Sequence, residues 1–247
     1  MKIKILILFL MIGFAVAMPF IFNKSTSPAK PHALDIDGNF IMYDWHYDDF
    51  KEGHRDGTNP DWDYNLKPVQ VSERVWCFFG SMEMPTKENA GNMANSCYIK
   101  GDDAWIMWDT GASYIFAKQA YAEMKKIADL PAKTIFVSHE HDDHWLGNNY
   151  YIQEHGAKVY GPKSVNVNYL GYDADTGRKV EGTREHPPQS RMERALYQSA
   201  IRGTHLSPVD IFFDDTTEIT LHGVKIEYVK VGYVHSEEDW FLYLPDD

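Results

Sequence analysis

From about residue 66 onward, short apolar runs alternate with segments of helical period. "VQVSERVWCFF", "ANSCYIK" and "AWIMWDTG" are separated by polar or glycine-containing breaks, which is typical of strands. "YIFAKQAYAEMKKIADL" has apolar residues at helical spacing and stops before Pro131, so it predicts a helix. "KTIFVS" and "AKVYG" predict further strands, and "WLGNNYYIQEHG" predicts a helix between them that ends at Gly156. This alternation predicts a layered α/β domain.

The pattern changes in the last third of the chain. Residues 163–208 are less regular, with one helix predicted in "QSRMERALYQSAI". "TEITLHGVKIEYVKV" then predicts a β-hairpin that turns at His222 and Gly223. "DWFLYLP" predicts a final strand.

The N-terminal segment differs from the rest of the chain. Lys2 and Lys4 precede the 18-residue apolar run "ILILFLMIGFAVAMPFIF", in which "AVA" fits a signal-peptide cleavage site. The run also approaches the length of a membrane span, so residues 1–22 predict either a signal peptide or an uncleaved N-terminal anchor. Both interpretations predict an exported protein, periplasmic or extracellular, with membrane attachment only through this segment. Residues 23–65 predict a linker and an irregular lead-in, and residues 66–247 the globular domain.

Composition narrows the expected partners. The chain has 247 residues, of which 44% are apolar, enough for one domain with a substantial core. Its net charge of −12 argues against nucleic acid, which needs a basic surface, and we expect a small-molecule substrate. Cys77 and Cys97 lie in two apolar stretches that can be neighbouring strands. A disulfide and a pair of buried free thiols both fit these two cysteines.

The stretch "IFVSHEHDDHWLGN" carries the strongest chemical signal. His139 and His141 are two residues apart at the end of a predicted strand, so their imidazoles project to the same side. Two ligands of one zinc ion need this arrangement. If a helix begins near Trp145, then Asp143 and His144 lie in the intervening turn. Their side chains can then point towards a second metal position close to the first. A solvated polar loop is the other interpretation, but this spacing directly after a buried strand favours a metal site.

The H-x-H-x-D-H string resembles the signature of the metallo-β-lactamase superfamily, and the resemblance extends along the chain. "WDTG" precedes the string by one helix, as a short aspartate-containing strand end does in that family. "GYVHSEEDWFLYLP" is similar to the family's third metal-ligand segment. "PTKENAGNMANSCYI" and "HWLGNNYY" further resemble periplasmic zinc metallohydrolases of the quinoprotein-relay and sulfur-oxidation type. The resemblance implies an α/β fold, the αββα sandwich of the family.

The resemblance also implies metal ligands. By position in the motif, the first zinc would be held by three histidines, His139, His141 and His235. Asp143 and His144 would belong to a second zinc, and Asp142 falls on the variable position. If only one zinc binds, Asp143 would be the catalytic residue that hydrogen-bonds and aims the hydroxide.

Two further aspartates have supporting roles in this comparison. Asp109 looks like the family's aspartate that orients a ligand histidine and fixes its tautomer. Asp239 would support His235 in a similar way. The family completes its second site with a bridging carboxylate and another histidine, both after the strand that begins near Phe241. The chain reads "LPDD" to its last residue, Asp247, so we expect the C-terminal half of the sandwich and the second metal site to be incomplete.

The expected function is that of an exported zinc-dependent hydrolase. A metal-activated hydroxide would attack an ester, thioester, amide or lactam-type substrate. One alternative is a β-lactamase proper. Another is a non-catalytic metal-binding accessory protein of a periplasmic redox system.

Overall fold

The computed structural model describes residues 61–81, 83–86, 89–170 and 198–247. The predicted signal or anchor, most of residues 23–65 and most of the helix predicted in "QSRMERALYQSAI" lie outside these ranges. Of the helices in these ranges, none combines the length and the apolar character that a membrane span requires.

A six-stranded sheet contains all the strands predicted in the first half of the domain. In order across the sheet these are β1 (Val69–Gln70), β2 (Val75–Phe78), β3 (Ser96–Lys100), β4 (Trp105–Trp108), β5 (Ala132–Phe136) and β6 (Lys158–Tyr160). The first four pair antiparallel, whereas β4, β5 and β6 are parallel. Parallel neighbours need a crossover connection, and here helices supply it. The carboxyl ends of β4 and β5 therefore lie side by side.

Four helices are present in the described residues. They are α1 (Tyr114–Ile127), α2 (Asn148–His155), α3 (Lys163–Leu170) and α4 (Gln198–Ile201). The predicted cap of α2 is confirmed, because Gly156 adopts a left-handed conformation with φ 62°. The start predicted near Trp145 was early, since Asp142–His144 form a separate 3-10 turn. Helix α3 was not predicted, because its sequence "KSVNVNYL" alternates apolar and polar residues instead of following a helical period.

A second, antiparallel sheet contains the C-terminal strands. These are β7 (Thr217–Leu221), β8 (Val224–Gly232) and β9 (Asp239–Tyr243), in that order. The predicted hairpin is confirmed at His222 and Gly223, whose φ angles of 51° and 76° are both positive. A two-residue type I′ turn requires this conformation.

The side chains of β4 show how the layers stack. Trp105 and Met107 pack into the core formed with the helices, whereas Ile106 and Trp108 pack against the second sheet. Residues of β8 and β9 such as Ile226 complete this second core. Because both faces of β4 are covered, its sequence is apolar throughout. The expected α/β arrangement of two sheets and helices is confirmed.

The two cysteines pair between adjacent strands. Cys77 of β2 lies opposite Cys97 of β3 in the strand register, and the two form a disulfide. Both residues are buried in the core between the sheets. Of the two alternatives left by the sequence, the structure shows the disulfide.

Replacing both Cys77 and Cys97 by alanine is expected to lower the free energy of unfolding by about 2–4 kcal/mol, as loss of such crosslinks typically does. Urea denaturation of the native protein should show a lower midpoint when reductant is added, and the double variant should be insensitive to reductant. Two reactive thiols in unreduced, urea-unfolded native protein would contradict the pairing.

Candidate metal centre

Three histidines from segments that follow strands of two different sheets converge at one point. His139 and His141 follow the carboxyl end of β5, and His235 lies on the loop between β8 and β9. One ring nitrogen from each can be chosen so that all three atoms lie within 4.8 Å of one another. His235 Nε2 and His141 Nδ1 are 3.0 Å apart. The structure thus brings together the three residues predicted to hold the first zinc.

The environment of His139 fits a metal ion. Its Nδ1 lies 2.8 Å from Ser138 Oγ, whereas its Nε2 is buried and has no hydrogen-bond partner among the described residues. Leaving a buried polar atom unpaired costs about 1–3 kcal/mol, so a buried nitrogen without a hydrogen bond is expected to have a bound partner such as a metal ion. Zinc binds the lone pair of a neutral imidazole nitrogen. Burial and, after it, the neighbouring His144 lower the pKa of His139, so this residue is neutral.

The 3-10 turn places the predicted second pair of ligands beside this cluster. The ring centroids of His144 and His139 are 4.1 Å apart, and His144 Nε2 is 3.5 Å from Asp143 Oδ2. Burial alone would lower the pKa of His144, but Asp143 and Asp109 outweigh it and raise this pKa to about 9. His144 is therefore protonated at neutral pH, held between two carboxylates.

Both aspartates of the turn are buried, with 1% of Asp142 and 6% of Asp143 exposed. The backbone carbonyl of Asp142 accepts hydrogen bonds from the N–H groups of Trp145 and Leu146, at 3.4 and 3.2 Å. The carboxylate oxygen Oδ2 of Asp143 lies 3.5 Å from His144 Nε2. Asp143 therefore lies beside His144. Its role as a metal ligand stays a prediction.

Asp109 follows β4 and is almost fully buried. Its backbone has φ 55°, a left-handed conformation that aspartate tolerates better than most residues. Oδ1 accepts a hydrogen bond from the N–H of Ser138 at 2.8 Å, and Oδ2 accepts from Ser138 Oγ and His144 Nδ1, both at 2.7 Å. The structure therefore places this aspartate directly against His144. Sequence reasoning missed Ser138, whose only signal was its place one residue before His139.

Asp239, the first residue of β9, holds the loop that carries His235. Its carboxylate accepts hydrogen bonds from the backbone N–H groups of Val234, His235 and Ser236, at 2.8, 2.6 and 2.9 Å, and from Ser236 Oγ at 2.8 Å. Burial alone would raise the pKa of Asp239, but these hydrogen bonds lower it. A charged acceptor on three successive N–H groups fixes the backbone from which His235 projects.

Comparison with known proteins shows the family to which the chain belongs. The sequence profile of the Metallo-beta-lactamase superfamily matches residues 90–247, more than half of the chain. The chain belongs to the metallo-β-lactamase superfamily. The narrower resemblance to quinoprotein-relay and sulfur-oxidation enzymes finds no support among the matches described below.

Several known proteins are similar to this chain. A linear primary-alkylsulfatase of Pseudomonas sp. (strain ATCC 19151) is 26% identical over 170 residues, which cover 60% of this chain and 31% of the relative. The structure of the sec-alkylsulfatase Pisa1 from Pseudomonas sp. aligns with a TM-score of 0.51 and 15% identity, covering 90% of this chain and 37% of that one. Metallo-beta-lactamase IND-7 aligns with a TM-score of 0.51 and 13% identity, covering 75% and 69%.

These structural likenesses show the fold. The chain spans about a third of the length of the alkylsulfatases it matches, 31% of one and 37% of the other.

The purified protein is expected to retain about one equivalent of zinc or more after gel filtration, because three histidine ligands suffice for a tight site. Elemental analysis should show that His139→Ala combined with His141→Ala abolishes this zinc. His205→Ala is the matched control, since His205 is an exposed loop residue outside the cluster. Less than about half an equivalent in the native protein, or zinc unaffected by the double variant, would refute the site.

Protein stripped of zinc is expected to gain stability from His144 that disappears at alkaline pH. His144 has a folded pKa of about 9 against an ordinary value of 6.5. Its contribution is therefore complete below pH 6.5 and is lost as the pH rises through about 9. Urea denaturation should show the stability difference between the native protein and His144→Asn shrinking over this interval. A difference that stays constant from pH 6 to about 9.5 would contradict the assignment.

Proposed function

We propose that this chain is the metal-binding domain of a zinc-dependent hydrolase that acts on sulfate esters with an apolar chain. The observation that carries the proposal is the three-histidine cluster around the unpartnered Nε2 of His139. Zinc, when bound, supplies hydroxide near neutral pH and polarises the substrate oxygen. We infer that His139, His141 and His235 hold the first ion.

The turn that follows the histidines would assist catalysis. Asp143 and His144 lie side by side next to His139, where they can bind a second zinc ion. If one ion binds, the carboxylate of Asp143 is placed to accept a hydrogen bond from the attacking water and to aim it. Asp109 and Asp239 do not act on the substrate in this proposal, because they orient His144 and the backbone of His235.

The exposure of the three histidines indicates the side from which a substrate would approach the cluster. Exposure increases across the cluster from His139, which is buried, to His141 and then to His235, which is exposed. The loop of His235 also exposes Tyr233 by 83% and Val234 by 68%. Large apolar side chains exposed beside a polar site suit a ligand with an apolar part.

This surface fits an alkyl sulfate. Such a molecule has a charged sulfate ester that the metal centre can bind and a hydrocarbon chain that Tyr233 and Val234 can contact. The sequence similarity to a linear primary-alkylsulfatase supports the same substrate class.

We also propose that the protein is exported by means of residues 1–22. The apolar N-terminal run motivates this proposal, and the Cys77–Cys97 disulfide supports it because disulfides persist in oxidising compartments. The net charge of −12 supports a small-molecule substrate over nucleic acid.

The zinc-loaded chain is expected to release sulfate from dodecyl sulfate, and His139→Ala should lower this rate by at least about 100-fold, because loss of a ligand removes the activating metal. Sulfate release is followed by ion chromatography, and nitrocefin is tested in parallel. Tyr233→Ser with Val234→Ser should raise KM for dodecyl sulfate more than KM for a short-chain sulfate.

The competing functions give different results in this assay. Hydrolysis of nitrocefin without sulfate release would favour a β-lactamase proper. Bound zinc without hydrolysis of either compound would favour the accessory metal-binding protein.

A further inference from the structure

Ser138 lies between His139 and the buried carboxylate of Asp109. Its hydroxyl donates a hydrogen bond to Asp109 Oδ2 at 2.7 Å, and the same Oγ lies 2.8 Å from His139 Nδ1. A serine hydroxyl has one hydrogen and two lone pairs. Because that hydrogen goes to Asp109, Oγ can only accept from His139. Nδ1 of His139 is therefore the donor and carries a proton.

This direction decides which nitrogen of His139 is left for a metal. A histidine that ligates a metal is neutral and has one ring proton. With that proton on Nδ1, Nε2 is a bare lone pair. Nε2 is also the nitrogen that is buried and has no hydrogen-bond partner in the described part of the chain. The hydrogen bonds and the unpartnered atom thus point to the same tautomer.

We propose that Ser138 is a positioning residue that relays Asp109 to His139. The chain of hydrogen bonds Asp109–Ser138–His139 keeps the ring proton on Nδ1 and presents Nε2 to the metal. The relay rests on the proposed function, in that the cluster binds zinc.

Asp109 has a second partner at the same oxygen. Its Oδ2 also accepts a hydrogen bond from His144 Nδ1 at 2.7 Å. One carboxylate therefore orients a histidine of each predicted metal position, His144 directly and His139 through Ser138.

The backbone of Ser138 keeps its hydroxyl in place. The N–H of Ser138 donates to Asp109 Oδ1 at 2.8 Å, and its carbonyl accepts from the N–H of Trp240 at 2.9 Å. Ser138→Ala retains both backbone bonds and removes only the hydroxyl. This variant therefore removes the hydroxyl contacts to Asp109, His139 and His144 and leaves the backbone of Ser138 in place.

The relay is tested with Ser138→Ala and with Ser138→Thr, which keeps a hydroxyl. Nitrogen-15 NMR of the His139 ring in zinc-stripped protein should show Nδ1 protonated in the native protein and in Ser138→Thr, and a changed tautomer in Ser138→Ala. Competition with a chelator should show that Ser138→Ala weakens zinc binding by about 10- to 100-fold and that threonine restores it. An unchanged tautomer, or unchanged zinc affinity, in a folded Ser138→Ala would overturn the proposal.

Asp109→Asn provides an independent variant if Ser138→Ala does not fold. An amide N–H₂ in place of Oδ2 would donate to Ser138 Oγ, so the serine would donate to His139 Nδ1 and the ring proton would move to Nε2. Nδ1 still protonated in Asp109→Asn would refute the relay. In a Ser138→Ala background, Asp109→Asn should leave the His139 tautomer unchanged, and a further change there would also refute it. Because the tautomer is read without zinc or substrate, this result is distinguishable from failure of the proposed hydrolase function.

Discussion

The candidate site depends on the burial of one carboxylate, that of Asp109. At 2% exposure this group has lost its hydration, and such a group is stable only when hydrogen bonds replace the lost water. Two donors of Ser138 and one of His144 supply them. The left-handed backbone of Asp109 turns its side chain from the end of β4 towards the end of β5. The end of one strand, the start of the histidine motif and the 3-10 turn are thereby held together by protein groups alone.

A second carboxylate, that of Asp239, anchors the backbone of the other sheet through hydrogen bonds in a similar way. Asp239 fixes the backbone of His235, and the next residue, Trp240, donates its N–H to the carbonyl of Ser138. The distance between the two anchored segments is set by the core between the sheets, in which Trp108 and Tyr228 pack edge to face. A loss of packing in that core would therefore separate His235 from the other two histidines. In this sense the geometry of the metal centre is a property of the whole sandwich.

Local rules explain most of what could be predicted from the sequence. The alternation of side chains in an extended segment brought His139 and His141 to one side. A two-residue hairpin was predicted at His222 and Gly223, and both residues have the positive φ angles that its turn requires. The late start of α2 depends instead on the 3-10 turn, whose residues are held by partners distant in sequence, such as Asp109. Ser138 could not be singled out for a similar reason. Its role exists only because the sheet register brings Asp109 beside it, and no single-sequence pattern reports that register.

The two predicted metal positions differ in the protonation state of their histidines, His139 in the first and His144 in the second. His139 is neutral because burial and neighbouring imidazoles oppose its protonation, so a cation at its Nε2 displaces no proton there. His144 is protonated at neutral pH because Asp109 and Asp143 flank it, so a cation there must first displace a proton that two carboxylates stabilise. That displacement becomes easier as the pH approaches about 9. The carboxylates that favour a cation beside His144 therefore also favour a proton there, whereas Nε2 of His139 can accept a metal at neutral pH without loss of a proton.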